Sequence, residues 1–295
     1  MVRFYHGFAT AMFVPVAEAS IAELYPTKRG ERISLFNSAS AVGRAIAPFL
    51  GASILFASGQ NYHALYIAVG AAGVTAFVTA LLFLADNRNP IQTPKEQRTR
   101  RMFEGWLTLI RDRAVLGVSF VQAIQYYVFG TVEFFLVGYL TDIVGLDIFL
   151  VGIITGSQIV ALMVSRPIIG RISDHIGRTK PIVAGAAASC LLVAAFPFAT
   201  AFPLLLLLSI GFGISFAAVL SSTSPLISEL VPASLVGASL GFLATMMDVG
   251  QTLGPIISGV IFATSLGYLG LFTSLSVVLV ISIAVFLFLK NRNGS

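Results

Sequence analysis

Residues 21–26 read Ile-Ala-Glu-Leu-Tyr-Pro, and residues 227–232 read Ile-Ser-Glu-Leu-Val-Pro. Each hexapeptide closes an apolar segment, and the segment that follows it carries glycine, phenylalanine and proline at matching positions. The matching pairs lie 206 or 207 residues apart: Gly30 and Gly237, Phe36 and Phe242, Gly43 and Gly250, Pro48 and Pro255. Self-similarity at a fixed offset indicates an internal repeat, and one period of this repeat holds six apolar segments.

The apolar segments are predicted to be membrane-spanning helices. The chain has 295 residues, is 57% hydrophobic and 11% charged, and has a mean hydropathy of +0.91, which leaves too little charge to coat a soluble domain. The alternating pattern of a membrane barrel is absent, so the spans must satisfy their own backbone as helices. A window of about 19 residues predicts nine spans. They lie near 3–24, 33–57, 62–85, 114–140, 148–170, 181–200, 203–227, 238–262 and 268–289.

The basic residues mark one side of the membrane. Of the 18 lysines and arginines, 16 lie on alternate connections between the spans, and the intervening connections carry none. This asymmetry predicts that the basic side is cytoplasmic, with the C-terminus inside and Met1 outside. The same confinement argues against a nucleic-acid partner, despite a net charge of +5, and makes the lipid bilayer the expected partner.

The repeat also predicts the domain organisation. Residues 1–86 are expected to form three helices of an N-terminal bundle, 87–113 a cytoplasmic central loop, and 114–295 a C-terminal bundle of six helices. The fourth to sixth spans have no counterpart before Met1, so three helices of a six-plus-six fold are expected to be missing. In the central loop, apolar residues at helical spacing indicate an interfacial helix, with a solvated linker as the alternative. They are Met102, Phe103, Trp106, Leu109 and Ile110.

With this organisation the chain resembles the major facilitator superfamily over its whole length. Residues 170–180 resemble the signature loop of that family, Gly-x-Leu-Ala-Asp-Arg-x-Gly-Arg-Arg. The matching residues are Gly170, Asp174, Gly177 and Arg178. The resemblance implies that Asp174 latches the cytoplasmic gate against the other half of the molecule, near the start of span 33–57. A simple helix cap is the alternative role for Asp174.

Three further motifs carry the resemblance. Residues 3–7 resemble the Arg-x-x-Gln-Gly of helix four, with His6 in place of glutamine. Residues 43–51 resemble the Gly-x-x-x-Gly-Pro-x-x-Gly found mainly in exporters, with Ala47 departing from it, and residues 250–255 form a second version. The retained positions are Gly43, Pro48, Gly51, Gly250, Gly254 and Pro255. The resemblance implies export, with ordinary helix packing as the alternative reading of these residues.

Ionisable residues inside the predicted spans and away from their ends are the candidates for function, because a charge in lipid costs several kcal/mol. They are Glu18, Arg44, Glu133 and Asp248, with Arg3 near the start of the chain. Glu133 lies about 13 Å from the outer end of its helix, and in the resembled fold this helix lines the central cavity. We expect Glu133 to carry a proton there; a structural hydrogen bond is the alternative.

Glu18 lies two turns before Pro26, on a helix that lines the cavity in the resembled fold, and both a functional and a structural role are open for it. Arg44 is expected to neutralise Glu18 or Glu133, or to meet an anionic substrate. Asp248 lies on the equivalent of helix eleven, whose partner helix would be among the missing ones. The repeated Glu23 and Glu229 are expected to form salt bridges at the gate.

The sequence predicts a transporter and no enzyme. It contains no phosphate-binding glycine-rich loop followed by lysine, no nucleophile–base pair and no histidine spacing typical of metal ligands, so no cofactor is expected. The prediction is a monomeric secondary active transporter of the plasma membrane that exports small organic solutes in exchange for protons by alternating access. The alternatives are an uptake carrier for a sugar or organic anion, and a fragment of a carrier that does not transport.

Overall fold

The computed structural model describes residues 29–83, 109–232 and 235–291, together with residue 17. Within these residues the chain forms eight α-helices and no strand, which confirms the predicted all-α fold. In chain order they are α1 (Arg29–Ala57), α2 (Tyr62–Phe83), α3 (Arg113–Gly138), α4 (Ile148–Ile176), α5 (Thr179–Ala195), α6 (Phe202–Leu230), α7 (Val236–Phe262) and α8 (Gly267–Asn291). A π-helical turn at Tyr139–Ile143 extends α3.

Side-chain caps and one glycine set several helix ends. The carboxylate of Asp112 accepts hydrogen bonds from the backbone N–H groups of Ala114 and Val115, at 2.8 and 3.2 Å, and caps α3. Asp147 caps α4 in the same way, at 2.8 Å from the nitrogen of Phe149. Gly177, between α4 and α5, has a φ of +88°, which a residue with a β-carbon rarely adopts. These caps and this glycine end the helices sharply, so the connections between the long helices are short.

Seven of the described helical segments are long and apolar enough to cross a bilayer. They are Tyr62–Leu82, Arg113–Ile143, Ile148–Ile176, Thr179–Phe198, Phe202–Leu230, Ala238–Phe262 and Gly267–Leu289. These segments coincide with the third to ninth predicted spans. The second predicted span lies within α1, whose apolar part is Ile46–Ala57. Apart from residue 17, the first predicted span lies outside the described residues, and so does the predicted interfacial helix before Leu109.

One predicted boundary is wrong. The fifth span was expected to end near residue 170, but α4 continues to Ile176, so Gly170 and Asp174 lie on its last turns. In these added turns the buried hydroxyl of Ser173 donates to the carbonyl of Gly170 at 2.8 Å, so this polar side chain is satisfied inside the helix. A hydropathy window ends a span where apolar residues give way to polar ones, even if the helix continues.

The chain divides into two compact units, Met1–Pro48 and Phe49–Ser295. The described part of the first is the beginning of α1. In the second, α6 packs against α4 and α5, α3 packs against α7 and α8, and α5 packs against α8. Two buried apolar clusters lie along this bundle, and on α3 they are separated by the buried residues Gln122 and Gln125. The amide of Gln125 donates to the hydroxyl of Ser189 at 2.7 Å, which ties α3 to α5.

Candidate functional site

The C-terminal half of α3 opens to the surface of the second unit. Most of α3 is buried, including Val128, Val132 and Leu136. Glu133 is exposed between these residues, together with Phe134 and Val137, so one side of the helix is not covered by the bundle. Glu133 therefore lies in a membrane-spanning segment on the open side of the most enclosed helix, where an ionised group is rarely kept without a function.

Glycines bring α7 into backbone contact with α3. A β-carbon at Gly250 would lie 2.8 Å from the carbonyl carbon of Ala123, and one at Gly254 would lie 2.9 Å from the Thr131 hydroxyl. On the opposite helix, a β-carbon at Gly130 would lie 2.8 Å from the carbonyl oxygen of Gln251. Real β-carbons do not approach other atoms this closely, so all three positions need glycine. Their arrangement is the close small-residue packing of membrane helices.

Hydroxyl groups also join α3 and α7 along this contact, which we call the seam. The hydroxyl of Ser258, one turn after Gly254, lies 3.1 Å from the Tyr127 hydroxyl and 3.3 Å from the Thr131 hydroxyl. Thr131 also donates to the carbonyl of Tyr127 at 2.8 Å. Gly250 and Gly254 thus hold α7 against the helix that carries Glu133, and this contact accounts for both glycines of the predicted second motif. Pro255 lies inside α7 beside them.

Two described carboxylates among the predicted intramembrane residues, Glu133 and Asp248, lie at different depths. Gly250 packs against Ala123, Glu133 lies ten residues after Ala123, and Asp248 lies two residues before Gly250. At 1.5 Å of rise per residue, Glu133 and Asp248 are therefore separated by about 15–20 Å along the helix axes. Asp248 is exposed and has no hydrogen-bond or ion-pair partner among the described residues. The two carboxylates do not form one acidic site.

At the basic end of the bundle, Arg178 joins three helix ends. Its guanidinium donates to Glu229 on α6 at 3.0 Å and to the Ser173 hydroxyl at 2.7 Å, and it forms an ion pair with Asp174 on α4. The salt bridge predicted for Glu229 is confirmed. Asp174 lies in the last turn of α4, so it is not the N-cap of a helix. Its predicted latch against the other half of the molecule stays a prediction.

The charge of Arg178 is fixed by this arrangement. Partial burial lowers its pKa, but the hydrogen bonds to Glu229 and Asp174 and the charges of these carboxylates outweigh burial, and the pKa lies above its ordinary value. The guanidinium is therefore held in its protonated form by its two carboxylate partners.

Replacing Arg178 by alanine is expected to lower the thermal stability of the purified chain by a few degrees. Glu229 and Asp174 are both more than half exposed, so the Arg178–Glu229 coupling energy should be about 0.5–1 kcal/mol in a double-mutant cycle with Glu229→Gln. Arg178→Lys should lose most of this coupling, because an ammonium cannot match the planar fork of a guanidinium. Arg171→Ala, an exposed change on α4, is the control. Zero coupling between Arg178 and Glu229 would contradict the contact.

The remaining predicted residues are less fully described. Arg3 and Glu18 lie outside the described residues, and of Arg44 only the helical backbone on α1 is described. A β-carbon at Gly43 would meet no described atom within 4 Å, and one at Gly51 would meet only Leu65, at 3.9 Å. Pro48 lies inside α1. In the described structure, the first copy of the glycine motif is therefore open where the second copy is tightly packed.

Sequence reasoning missed two residues beside Glu133, one on α3 and one on α7. Tyr126 lies two turns before Glu133 on the same face, and Gln251 packs against Gly130 between them. Neither residue is charged, so a search for intramembrane charges passes over both. The one available signal was the position of Gln251 inside the glycine motif, directly after Gly250.

Long apolar helices, close glycine contacts and short polar connections define a polytopic α-helical membrane protein. The sequence profile of the Major Facilitator Superfamily matches residues 1–147 and 118–295, and together these segments cover the whole chain. The chain belongs to the Major Facilitator Superfamily. This membership in a transporter family confirms the predicted family and the prediction that the chain is not an enzyme.

Curated relatives cover most of this chain. It is 24% identical over 264 residues to the multidrug resistance protein MdtG of Proteus mirabilis, covering 88% of this chain and 64% of the relative. It is also 24% identical over 257 residues to MdtG of Serratia proteamaculans, covering 85% of this chain and 61% of the relative. The chain thus spans a little over three fifths of the length of these proteins.

Solved structures share the fold. A bacterial homolog of the human lysosomal transporter Spinster, inward-facing and unoccupied, superposes with a TM-score of 0.78 at 15% identity. The match covers 94% of this chain and 74% of that protein. The occupied inward-facing form of the same homolog gives a TM-score of 0.74 at 14% identity. At these identities the likeness concerns the fold alone.

Proposed function

We propose that this chain is part of a secondary active transporter that exports small organic molecules in exchange for protons. The observation that carries the proposal is Glu133, a carboxylate exposed on the open side of α3 within a membrane-spanning segment. An intramembrane carboxylate can bind a proton on one side of the membrane and release it on the other, once the helix around it changes exposure. The names of the curated relatives, multidrug resistance proteins, support export.

The proposed mechanism is alternating access, in which two helix bundles rock about a site near the membrane midplane. In this proposal, residues 1–86 and 114–295 would form the two bundles and residues 87–113 would connect them. The seam between α3 and α7 suits such a motion, because backbones in direct contact hold Glu133 at a fixed position within its own bundle. The Arg178 cluster would stiffen the basic end of the same bundle.

The proposed orientation follows from the distribution of charge. Lysines and arginines concentrate on one face of the membrane, and this face is expected to be cytoplasmic, with the C-terminus inside the cell. The connection between α4 and α5, at Gly177 and Arg178, would then be cut by a protease only in inverted membrane vesicles. Cleavage in right-side-out vesicles would reverse the orientation.

Flux measurements in membrane vesicles test the proposed function. Inverted vesicles loaded with acid, carrying the chain, should accumulate at least one probe from a set comprising ethidium, benzoate and glucose, and a protonophore should abolish the accumulation. Vesicles without the chain are the control. Accumulation confined to right-side-out vesicles would make the protein an uptake carrier. Absence of gradient-dependent flux for every probe would contradict transport by this chain.

A further inference from the structure

Two glutamine side chains of α3 lie inside the bundle. Gln122 is 5% exposed and Gln125 is fully buried. Gln125 precedes the exposed Phe134 by nine residues, which is about two and a half helical turns, so these two side chains point to opposite sides of α3. The Gln125 amide therefore faces away from the open side of the helix.

Both amides are hydrogen-bonded to neighbouring helices. The amide nitrogen of Gln125 donates to the Ser189 hydroxyl of α5 at 2.7 Å, and that hydroxyl lies 2.8 Å from the Ser215 hydroxyl of α6. The amide oxygen of Gln122 accepts a hydrogen bond from the Thr223 hydroxyl, which is also on α6. We call these five side chains the amide layer. Because hydrogen bonds are directional, the layer joins α3 to α5 and α6 at one particular rotation of the helix.

Apolar contacts alone fix the rotation of α3 only weakly. Val128, Val132 and Leu136 are buried, but Phe134 and Val137 on the exposed side are equally apolar. In lipid such side chains gain little from burial, because lipid tails are as apolar as the core of the bundle. The rotation of α3 about its own axis is therefore decided by polar contacts and by the fit of its backbone against other helices.

The seam with α7 holds α3 from the other side. Tyr127 lies two residues after Gln125, about 200° away around the helix. Its hydroxyl is 3.1 Å from that of Ser258 on α7. The amide layer and the seam therefore hold α3 from nearly opposite directions, and loss of either leaves the helix held on one side.

Glu133 lies at an edge of the open side, where its exposure is sensitive to rotation. At about 100° per residue, the order around the helix is Leu136, Glu133, Val137, Phe134 and Phe135. The first and last of these are buried, and the three between them are exposed. Glu133 is only about 60° from Leu136. A rotation of this size, in the direction that exposes Phe135, would move Glu133 to a covered position.

We propose that Gln122 and Gln125 are positioning residues, whose hydrogen bonds to α5 and α6 set the rotation of α3 and keep Glu133 on its open side. The oxygen of the Gln125 amide accepts no hydrogen bond from a described residue, so burial of this amide contributes little to stability. Its contribution is to specify one arrangement of the helices, a role that buried polar groups have in other helical assemblies. The inference rests on the proposed function, in which Glu133 carries the proton.

Labelling of single cysteines with N-ethylmaleimide tests the rotation in the purified full chain, without any gradient. In a Cys190→Ser background, Leu136→Cys and Phe135→Cys report on the two edges of the open side, and Val137→Cys reports on the open side itself. Gln125→Met keeps an unbranched side chain of similar length and removes the hydrogen bond. It should raise the labelling rate at position 135 or 136 about fivefold, the population change expected from one net hydrogen bond. The rate at position 137 should stay the same.

Further variants show whether the effect comes from the hydrogen bond. Ser189→Ala removes the acceptor of the same bond, so it should raise the labelling rate as Gln125→Met does, and combining the two should add nothing further. Ser119→Ala is the matched control, because this buried hydroxyl of α3 has no hydrogen-bond partner among the described residues. The unfolding temperature of Gln125→Met should stay within about two degrees of that of the unmodified chain, which separates positioning from stability.

The outcomes separate the positioning role from the transport function. Unchanged labelling in Gln125→Met, or an equal increase in Ser119→Ala, would overturn the positioning role. Gln122→Met combined with Gln125→Met removes both bonds, and its proton-driven flux should fall by the fraction of molecules that labelling finds rotated. Expected labelling with undiminished flux in this double variant would overturn the link to Glu133. Expected labelling in a chain without any gradient-driven flux would leave the amide layer standing and contradict transport.

Discussion

Replacing Gly250 by leucine is expected to destabilise the second unit severely, by about 3 kcal/mol. A β-carbon at this position would clash with the carbonyl group of Ala123, whose carbon would lie only 2.8 Å away. The atoms it meets belong to backbone and cannot rotate aside, so α7 would have to move off α3. The contact between Ser258 and the hydroxyls of Tyr127 and Thr131 would be lost with it. Thermal unfolding of the detergent-purified chain, followed by size-exclusion chromatography, measures the effect.

The control for this substitution is in the same helix. Gly241 is exposed, and a β-carbon there would meet no described atom within 4 Å. Gly241→Leu should therefore be neutral or stabilising by up to about 1 kcal/mol, because leucine is the better helix former. If both variants unfold at the same temperature, α7 does not pack against α3 through Gly250.

Replacing Glu133 by glutamine is expected to reduce proton-driven flux in acid-loaded inverted vesicles to the background rate. Glutamine keeps the size and polarity of the side chain but cannot bind and release a proton. Exchange of labelled for unlabelled substrate across the membrane needs no net proton movement. At saturating substrate concentration, this exchange should therefore continue in the variant while the response to the pH gradient disappears.

Two further carboxylates sharpen this test. Asp147→Asn alters a carboxylate that caps α4 outside the spans, and flux should be unchanged. Asp248→Asn alters the carboxylate that lies about 15–20 Å from Glu133 along the helix axes. Full coupling in Glu133→Gln combined with loss of coupling in Asp248→Asn would transfer the proton-carrying role to Asp248.

Much of the architecture can be predicted from the sequence, because the signals for it are local. A span is recognised from about 20 consecutive apolar residues, and its helical form follows from the need to satisfy the backbone in lipid. The third to ninth predicted spans coincide with the seven apolar helical segments of the described structure. Errors arise where polar residues continue a helix, as Ser173 does in α4, because hydropathy ignores how such residues are satisfied.

The candidate site is different, because it depends on the register between distant helices. Glu133 could be singled out from sequence, since a charge inside an apolar segment is a local signal. Its separation from Asp248 could not, because the depth of one helix relative to another is set by where Gly250 and Ala123 meet. The pairing of Arg178 with Glu229 spans 51 residues of sequence and has the same origin.

By itself, the sequence determined that this protein is a helical membrane protein, and which residues place charge inside its apolar segments. The tertiary structure alone decided which faces of these helices are covered, where α7 crosses α3, and that Gln251 lies beside Gly130 between Tyr126 and Glu133. The physical reason is that the hydrophobic effect selects the spans, and its strength depends on how many apolar residues a local segment contains. Once the helices are in lipid, their mutual positions depend on van der Waals packing and hydrogen bonds between residues far apart in the chain.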